Sequence, residues 1–329
     1  MKNIIFSTTC QWNPGDEFIL HGVINILRAS GLQFNPLLWN RNPVVNPRPT
    51  PAPHQGIDKD DAFWENSFDV DNPAPADYIV FAGTPEWSGS PRVTPLLEFA
   101  KKNNIRCSFL GVGLSAPEIA TPLVADILRN QTDVFVARDK LAVEVASPHI
   151  KAQLTTCPSI CSSLTDRVRT KLGKIACGIQ GTRMKWHSIP KVDQHILYAA
   201  YERLADKYDV EYVGHYIDDL TGAPAGVTRY SGITNDYYSI YDRYDLVITP
   251  RLHGCGISAS LGVPSICLAH DKRGVAAELF GSILINSPVG VDKLVSQYNW
   301  AERSAKVVDI KRAAQSFYRE AIAPLLDRI

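Results

Sequence analysis

The sequence lacks an excess of either charge: 34 Lys and Arg stand against 34 Asp and Glu, for a formal net charge of zero. That removes the basic surface a nucleic-acid binder needs and the polybasic stretch that holds a protein on an anionic membrane. Long apolar runs are also missing. The opening stretch "MKNIIFSTTCQWNPGDE" has one lysine and only a short apolar run, too brief for a signal-peptide core or a membrane span, so a cytoplasmic location is expected. The seven cysteines (10, 107, 157, 161, 177, 255 and 267) are odd in number and scattered, mostly in apolar strand-like runs, which argues against a disulfide framework. Only Cys157 and Cys161 are close in sequence, and no Cys or His stands near them at zinc spacing, so no metal is expected.

What is present is an ordinary globular composition, 45% hydrophobic and 21% charged over 329 residues, longer than one core usually grows. "NIIFSTT" reads as a strand, and "GDEFILHGVINILRAS" as a helix with Phe18, Ile19, Val23, Ile26 and Leu27 on its buried face. "FNPLLWN" reads as a second strand. The proline-rich stretch from about Arg41 to Ala76 is expected to be a long surface loop. "DYIVFAGT", "RCSFLGVGLS" and "DVFVARD" are continuous apolar strands of the kind found in parallel sheets covered on both faces. After the polar "TDRVRTKLGK" the alternation restarts with "IACGIQ", "DVEYVGHY", "DLVIT" and "VPSICLA". The expectation is an α/β protein of two Rossmann-like lobes with mostly parallel sheets. The first covers residues 1–168 and the second 169–329, with a C-terminal helix that crosses back to brace the first lobe. Ligands of such folds sit at the carboxyl ends of the strands, so the expected site is the cleft.

"DLVITPRLHGCGISAS" places Arg251, Leu252 and His253 in a strand-to-helix turn followed by a helix start rich in small residues. A helix amino terminus attracts anions, and Arg251 adds a bidentate clamp for carboxylate or phosphate. The same residues also fit a plain structural role, with Arg251 paired to a neighbouring carboxylate and His253 capping the helix. In the first lobe, Asp16 and Glu17 stand at a helix start, where capping alone explains them equally well. Glu86 and Trp87 in "GTPEW" pair a carboxylate with an indole at a strand end, a combination suited to holding a sugar. Asp139 reads as the cap of "KLAVEVAS" and His21 as a packing residue, while His215, Asp218 and Asp219 lie on a loop near the expected cleft.

"DLVITPRLHG", "GVPSI" and "DKRGVAAELFG", preceded in order by "NPGDE", "FAGT", "GVG" and "ARD", resemble the motifs of the polysaccharide pyruvyl transferase family over residues 13 to 280. The resemblance implies a glycosyltransferase-B-like fold. It also implies transfer of the enolpyruvyl group of phosphoenolpyruvate onto two sugar hydroxyls as a ketal, with release of phosphate. The resemblance places Arg251, Leu252 and His253, with Arg183, at the donor site; by position Gly254, His270 and Lys272 join them there, and the chemistry makes Arg251 and His253 the expected catalytic residues. On the acceptor side the residues expected from the first lobe are Asn13, Asp16, Glu17, Glu86 and Trp87. Phosphoenolpyruvate is the co-substrate, and no further cofactor or metal is expected. The partners are phosphoenolpyruvate and a sugar or lipid-linked glycan met at the membrane surface, as in exopolysaccharide biosynthesis, with no nucleic acid. Where the family carries Pro-Asp-Pro, this chain has "TCPSICSS". Two rivals remain open: a nucleotide-sugar glycosyltransferase, with Glu278 as the ribose acid, and a non-catalytic glycan-binding protein.

Overall fold

A computed structural model describes residues 1–9, 14–41, 68–83, 93–114, 119–180, 194–269 and 274–326. The chain divides into two compact units. Among the described residues the first runs from Met1 to Ser162 and resumes at Ala314, and the second is Ser163–Ala313. The break therefore falls ahead of the expected 168/169 boundary. No helix among the described residues is long and apolar enough to cross a membrane.

The first unit holds strands β1 (Lys2–Thr8), β2 (Phe34–Asn40), β3 (Tyr78–Ala82), β4 (Cys107–Val112), β5 (Thr132–Ala137) and β6 (Ala152–Leu154), all parallel, in the order β2-β1-β3-β4-β5-β6. Helices α1 (Pro14–Ala29), α2 (Thr94–Lys102), α3 (Pro122–Asn130) and α4 (Lys140–Ala146) connect them. Every residue of β3 and β4 is buried, which accounts for their unbroken apolar runs. Pro36 is tolerated in β2 because that strand is the sheet edge. Asp139 caps α4 by accepting the Ala142 N–H at 2.9 Å, as its position suggested.

The "TCPSICSS" segment forms a tight 3-10 turn, Pro158–Cys161, seated on α1. Asn25 donates to the carbonyls of Cys161 and Ser162 at 3.0 and 2.9 Å. A Cβ on Gly22 would lie 1.9 Å from the Pro158 oxygen, and one on Gly111 would lie 2.5 Å from the Pro158 ring. Gly22 is therefore in a helix because nothing larger lets the turn dock.

The second unit holds β7 (Lys174–Gly178), β8 (Asp209–Val213), β9 (Thr228–Arg229), β10 (Leu246–Thr249), β11 (Ser265–Leu268) and β12 (Ile283–Ile285), again all parallel, in the order β12-β11-β10-β7-β8-β9. Counted within this lobe the order is 6-5-4-1-2-3, that of the Rossmann fold. Its helices are α5 (Gln194–Ala205), α6 (Asp236–Tyr241), α7 (Leu252–Ser260), α8 (Val275–Glu278) and α9 (Val291–Gln297). Helix α10 (Trp300–Ala321) starts in the second unit and ends in the first, where α11 (Ala323–Leu326) follows. Within the first unit the Tyr318 hydroxyl donates to the Thr156 carbonyl at 2.9 Å.

The polar stretch "TDRVRTKLGK" between the two alternations is pinned in place. Arg169 is buried, its N–H donates to Ser304 at 2.8 Å and its guanidinium pairs with Asp242 at 2.6 Å. The ammonium of Lys311, fully buried, donates to the Thr165 and Ser260 carbonyls at 2.6 and 2.9 Å and pairs with Asp166 at 3.0 Å. A second correction concerns Arg41, expected to open a surface loop. It is only 5% exposed, and its N–H donates to the Thr8 carbonyl at 2.9 Å. Residues 42–67 of that stretch lie outside the described residues.

Glu211 ties four parts of the second lobe together. It accepts from Arg229 at 2.9 and 3.0 Å and from Tyr244 at 2.8 Å, and pairs with Lys174 at 2.7 Å. Hydrogen bonds from Arg229 first, then from Lys174 and Tyr244, outweigh desolvation and pull its carboxyl down to about 2. A carboxylate depressed in the fold stabilises above its ordinary range near 4.3 and loses that contribution as pH falls toward the folded value. Glu211→Gln should therefore lower the urea midpoint clearly at pH 7, with the difference from the parent shrinking by pH 3. Gly22→Ala tests the close approach. Alanine is the better helix former by about 1 kcal/mol, but overpacking against Pro158 costs about 1–3 kcal/mol or more, so denaturant unfolding should show a net loss of stability.

Candidate functional site

In a sheet of Rossmann order the crossovers leave in opposite directions from the two central strands, and the gap at their carboxyl ends is where ligands bind. Here those strands are β7 and β10, which end at Gly178 and Thr249. Arg251 follows two residues after Thr249 as the N-cap of α7, with an extended backbone (φ −105°, ψ 119°) and no side-chain cap. The Arg251 N–H donates to the Thr249 hydroxyl oxygen at 3.0 Å, which fixes the turn. Thr249 in turn is wedged between two glycines. A Cβ on Gly178 would lie 2.5 Å from its Oγ1, and one on Gly254 would lie 3.0 Å from both Oγ1 and Cγ2 and 3.2 Å from the Tyr241 hydroxyl.

The Arg251 guanidinium, 10% exposed, forms an ion pair through Nη2 with Asp219, which is fully buried. It lies over the Tyr216 ring, 4.6 Å from the centroid. Asp219 is itself fixed, its Oδ2 accepting the N–H groups of His215 and Tyr216 at 2.9 Å each. Behind them His215 is buried, with Nε2 at 2.7 Å from the Tyr241 hydroxyl and its ring edge-on to Tyr237 at 5.1 Å. Burial pushes Tyr241 well above the usual phenol range. It also raises Tyr198, on which the charges of Asp219 and Arg251 act in opposite directions. Both phenols are neutral hydrogen-bonding groups at pH 7. Asp219 occupies only one nitrogen of the fork, and Nε is buried with no hydrogen-bond acceptor among the described residues.

Leu252 and His253, both half-buried, open α7, and Gly254 is buried behind them. His253 thus stands inside the helix rather than at its cap, a correction to the capping reading. The other half of the structural reading holds, because Arg251 does have a carboxylate partner. Arg183, His270 and Lys272 lie outside the described residues, as do Asn13, Glu86 and Trp87. In the first lobe Asp16 accepts the Thr9 hydroxyl at 2.8 Å and pairs with Arg41 at 3.4 Å, while Glu17 is buried on the same helix turn. Glu278, the acid of the glycosyltransferase rival, is exposed at the end of α8.

Comparison with known proteins is decisive for the family. The model of polysaccharide pyruvyl transferases matches residues 13–272. The chain belongs to that family. Among curated proteins none is significantly similar in sequence. Several solved structures are similar in fold at 11–12% identity. The UDP-GlcNAc 2-epimerase of Neisseria meningitidis bound to UDP-GlcNAc aligns with TM-score 0.62 at 12% identity over 99% of this chain and 100% of its own. Anabaena Alr3699/HepE in complex with UDP-glucose gives 0.56 at 11% over 100% of both chains, and the S. aureus MnaA–UDP co-structure gives 0.54 at 12% over 92% and 90%. These likenesses establish the fold, two Rossmann-like lobes. As a member of its family the chain is a transferase.

The order of support in the arginine platform is testable. Removing one partner of a buried ion pair costs about 3–5 kcal/mol, and Asp219 also accepts two backbone N–H groups. Asp219→Ala should therefore destabilise the chain more than Arg251→Met, and the double variant, which leaves no guanidinium unpaired, should be more stable than Asp219→Ala alone. The reverse ranking in urea unfolding would make the arginine, not the aspartate, the platform.

Proposed function

We propose that this polysaccharide pyruvyl transferase family member takes the enolpyruvyl group of phosphoenolpyruvate and joins it as a ketal to two hydroxyls of a sugar or lipid-linked glycan, releasing phosphate. The observation that carries the reading is Arg251, fixed at the switch point of the second sheet with hydrogen-bonding capacity that Asp219 does not use. Phosphoenolpyruvate carries a carboxylate and a phosphate. A planar guanidinium beside a helix start suits either, and lysine would not reproduce its fork.

In this mechanism Arg251 holds the donor, with Leu252 and Gly254 shaping the pocket floor and Arg183, His270 and Lys272 as further donor contacts. His253 gives a proton to the methylene carbon, which becomes the methyl group and leaves the adjacent carbon electron-poor. One acceptor hydroxyl adds there, the carbon–oxygen bond to phosphate breaks, and the second hydroxyl closes the ketal. Of the two hydroxyl protons released, one replaces that spent by His253 and the other leaves on phosphate. An imidazole suits this step because its ordinary pKa near 6.5 lets it exchange protons at neutral pH. No other cofactor takes part. The acceptor side comprises Asn13, Asp16, Glu17, Glu86 and Trp87 of the first lobe. The enzyme works in the cytoplasm and meets membrane-borne precursors at the surface.

Incubation with phosphoenolpyruvate and a glycan panel should yield inorganic phosphate and a product heavier by one pyruvyl ketal in mass spectrometry. Hexose-sized additions from nucleotide sugars would transfer the chain to the glycosyltransferase reading. His253→Gln should keep the fold and donor affinity in calorimetry while turnover drops by ~10²–10⁴-fold. Unchanged turnover would remove His253 from the chemistry.

A further inference from the structure

Arg251 is not a bare cation. Its Nη2 pairs with Asp219 Oδ1, and the Asp219 side chain has no exposure while that of Arg251 keeps 10%. The anion is thus sealed inside the lobe behind a cation that still reaches solvent. Asp219 is held from its other side as well, with Oδ2 accepting the N–H groups of His215 and Tyr216 at 2.9 Å each, so it cannot turn away from the arginine. The Tyr216 ring lies 4.6 Å from the guanidinium carbon and fixes its plane. Of the five N–H groups of the fork Asp219 takes one, on Nη2, and Nε is buried with no acceptor among the described residues. His253 follows two residues later, in the first turn of α7.

We propose that Asp219 is the positioning residue that makes Arg251 a site for the carboxylate of the donor and not for its phosphate. This rests on the pyruvyl-transfer reading and names the end of phosphoenolpyruvate that the arginine takes. The cost of moving an ion out of water grows with the square of its charge, whereas its attraction to a fixed cation grows only in proportion to that charge. A buried carboxylate behind Arg251 subtracts from the attraction. What remains suits a monoanion and falls short for a phosphate dianion, whose dehydration at equal size costs about four times as much. Shape favours the same end, because a planar carboxylate matches parallel N–H groups of the fork. So does the course of the reaction. The carboxylate stays on the transferred carbon and the phosphate leaves. An arginine that holds the carboxylate therefore keeps hold of donor, intermediate and ketal alike. The methylene, borne by the same carbon, stays in register with His253 while phosphate departs.

The test uses the full chain and three probes, pyruvate, inorganic phosphate and phosphoenolpyruvate, with dissociation constants from calorimetry at about pH 8, where phosphate is mostly the dianion. Arg251→Met should weaken pyruvate at least tenfold and phosphate less than twofold. Arg251→Lys, which keeps the charge but not the fork, should recover only part of the pyruvate loss. Asp219→Asn has the same shape without the charge, and it should raise the affinity for phosphate relative to pyruvate at least fivefold. A merely structural aspartate would weaken both anions alike. A ratio that stays put or moves toward pyruvate in Asp219→Asn, or a phosphate loss as large as the pyruvate loss in Arg251→Met, overturns the proposal. If Asp219→Asn does not fold, the two Arg251 variants decide. Phosphoenolpyruvate separates this inference from the reading beneath it. A parent that binds pyruvate through Arg251 but does not bind phosphoenolpyruvate keeps the carboxylate site and loses the pyruvyl-transfer reading. A parent that binds phosphoenolpyruvate without any pyruvate binding that depends on Arg251 keeps the reading and loses the proposal.

Discussion

The constraint on which the rest depends is that both sheets are entirely parallel. Parallel strands deliver all their carboxyl ends to one edge, and each strand order opens one gap where successive crossovers part. The chain places an arginine at each gap, Arg41 buried and Arg251 with its side chain only 10% exposed. Burying a guanidinium is costly unless its charge and its N–H groups are met. Arg41 meets this cost with two strand-end carbonyls and Asp16, and Arg251 with Asp219 and the face of Tyr216. The arginines serve the fold and mark the places where ligand chemistry is expected.

Rigidity at the second gap comes from small residues. Thr249 fits between Gly178 and Gly254, and its hydroxyl oxygen accepts the Arg251 N–H. The helix start has no slack through which Arg251 could swing. Asp219 is equally fixed, by two backbone N–H groups. A guanidinium so fixed is ordered before any anion arrives, which spares part of the entropy cost that binding one would carry.

Much of this was legible in the sequence. The unbroken apolar strands announced parallel sheets, and the break at Pro250 announced the turn that carries Arg251, with His253 in the helix that follows. The residues that support the site were harder to read. Asp219 looked like one of several polar residues in a loop, because its role depends on β8 and β10 flanking β7 in space, far apart in sequence. Arg41 gave no signal at all. It stands at the head of a proline-rich stretch, and nothing local shows that it turns back across two strand ends. Gly22 was invisible for a related reason, since the turn that excludes a side chain there is Pro158. Long-range contact, not local propensity, decides all three.

The path of α10 bears on how the chain is made. The first unit includes the residues from Ala314 onward, and Tyr318 closes on Thr156 within it. A ribosome releases the chain from its amino end, so the lobe translated first still lacks part of itself while the whole of the other emerges. The second lobe has every residue it needs by Ala313 and can reach its final form while its elder neighbour waits. Synthesis order and completion order are thus reversed, and a truncation near the carboxyl end injures the lobe that was begun first.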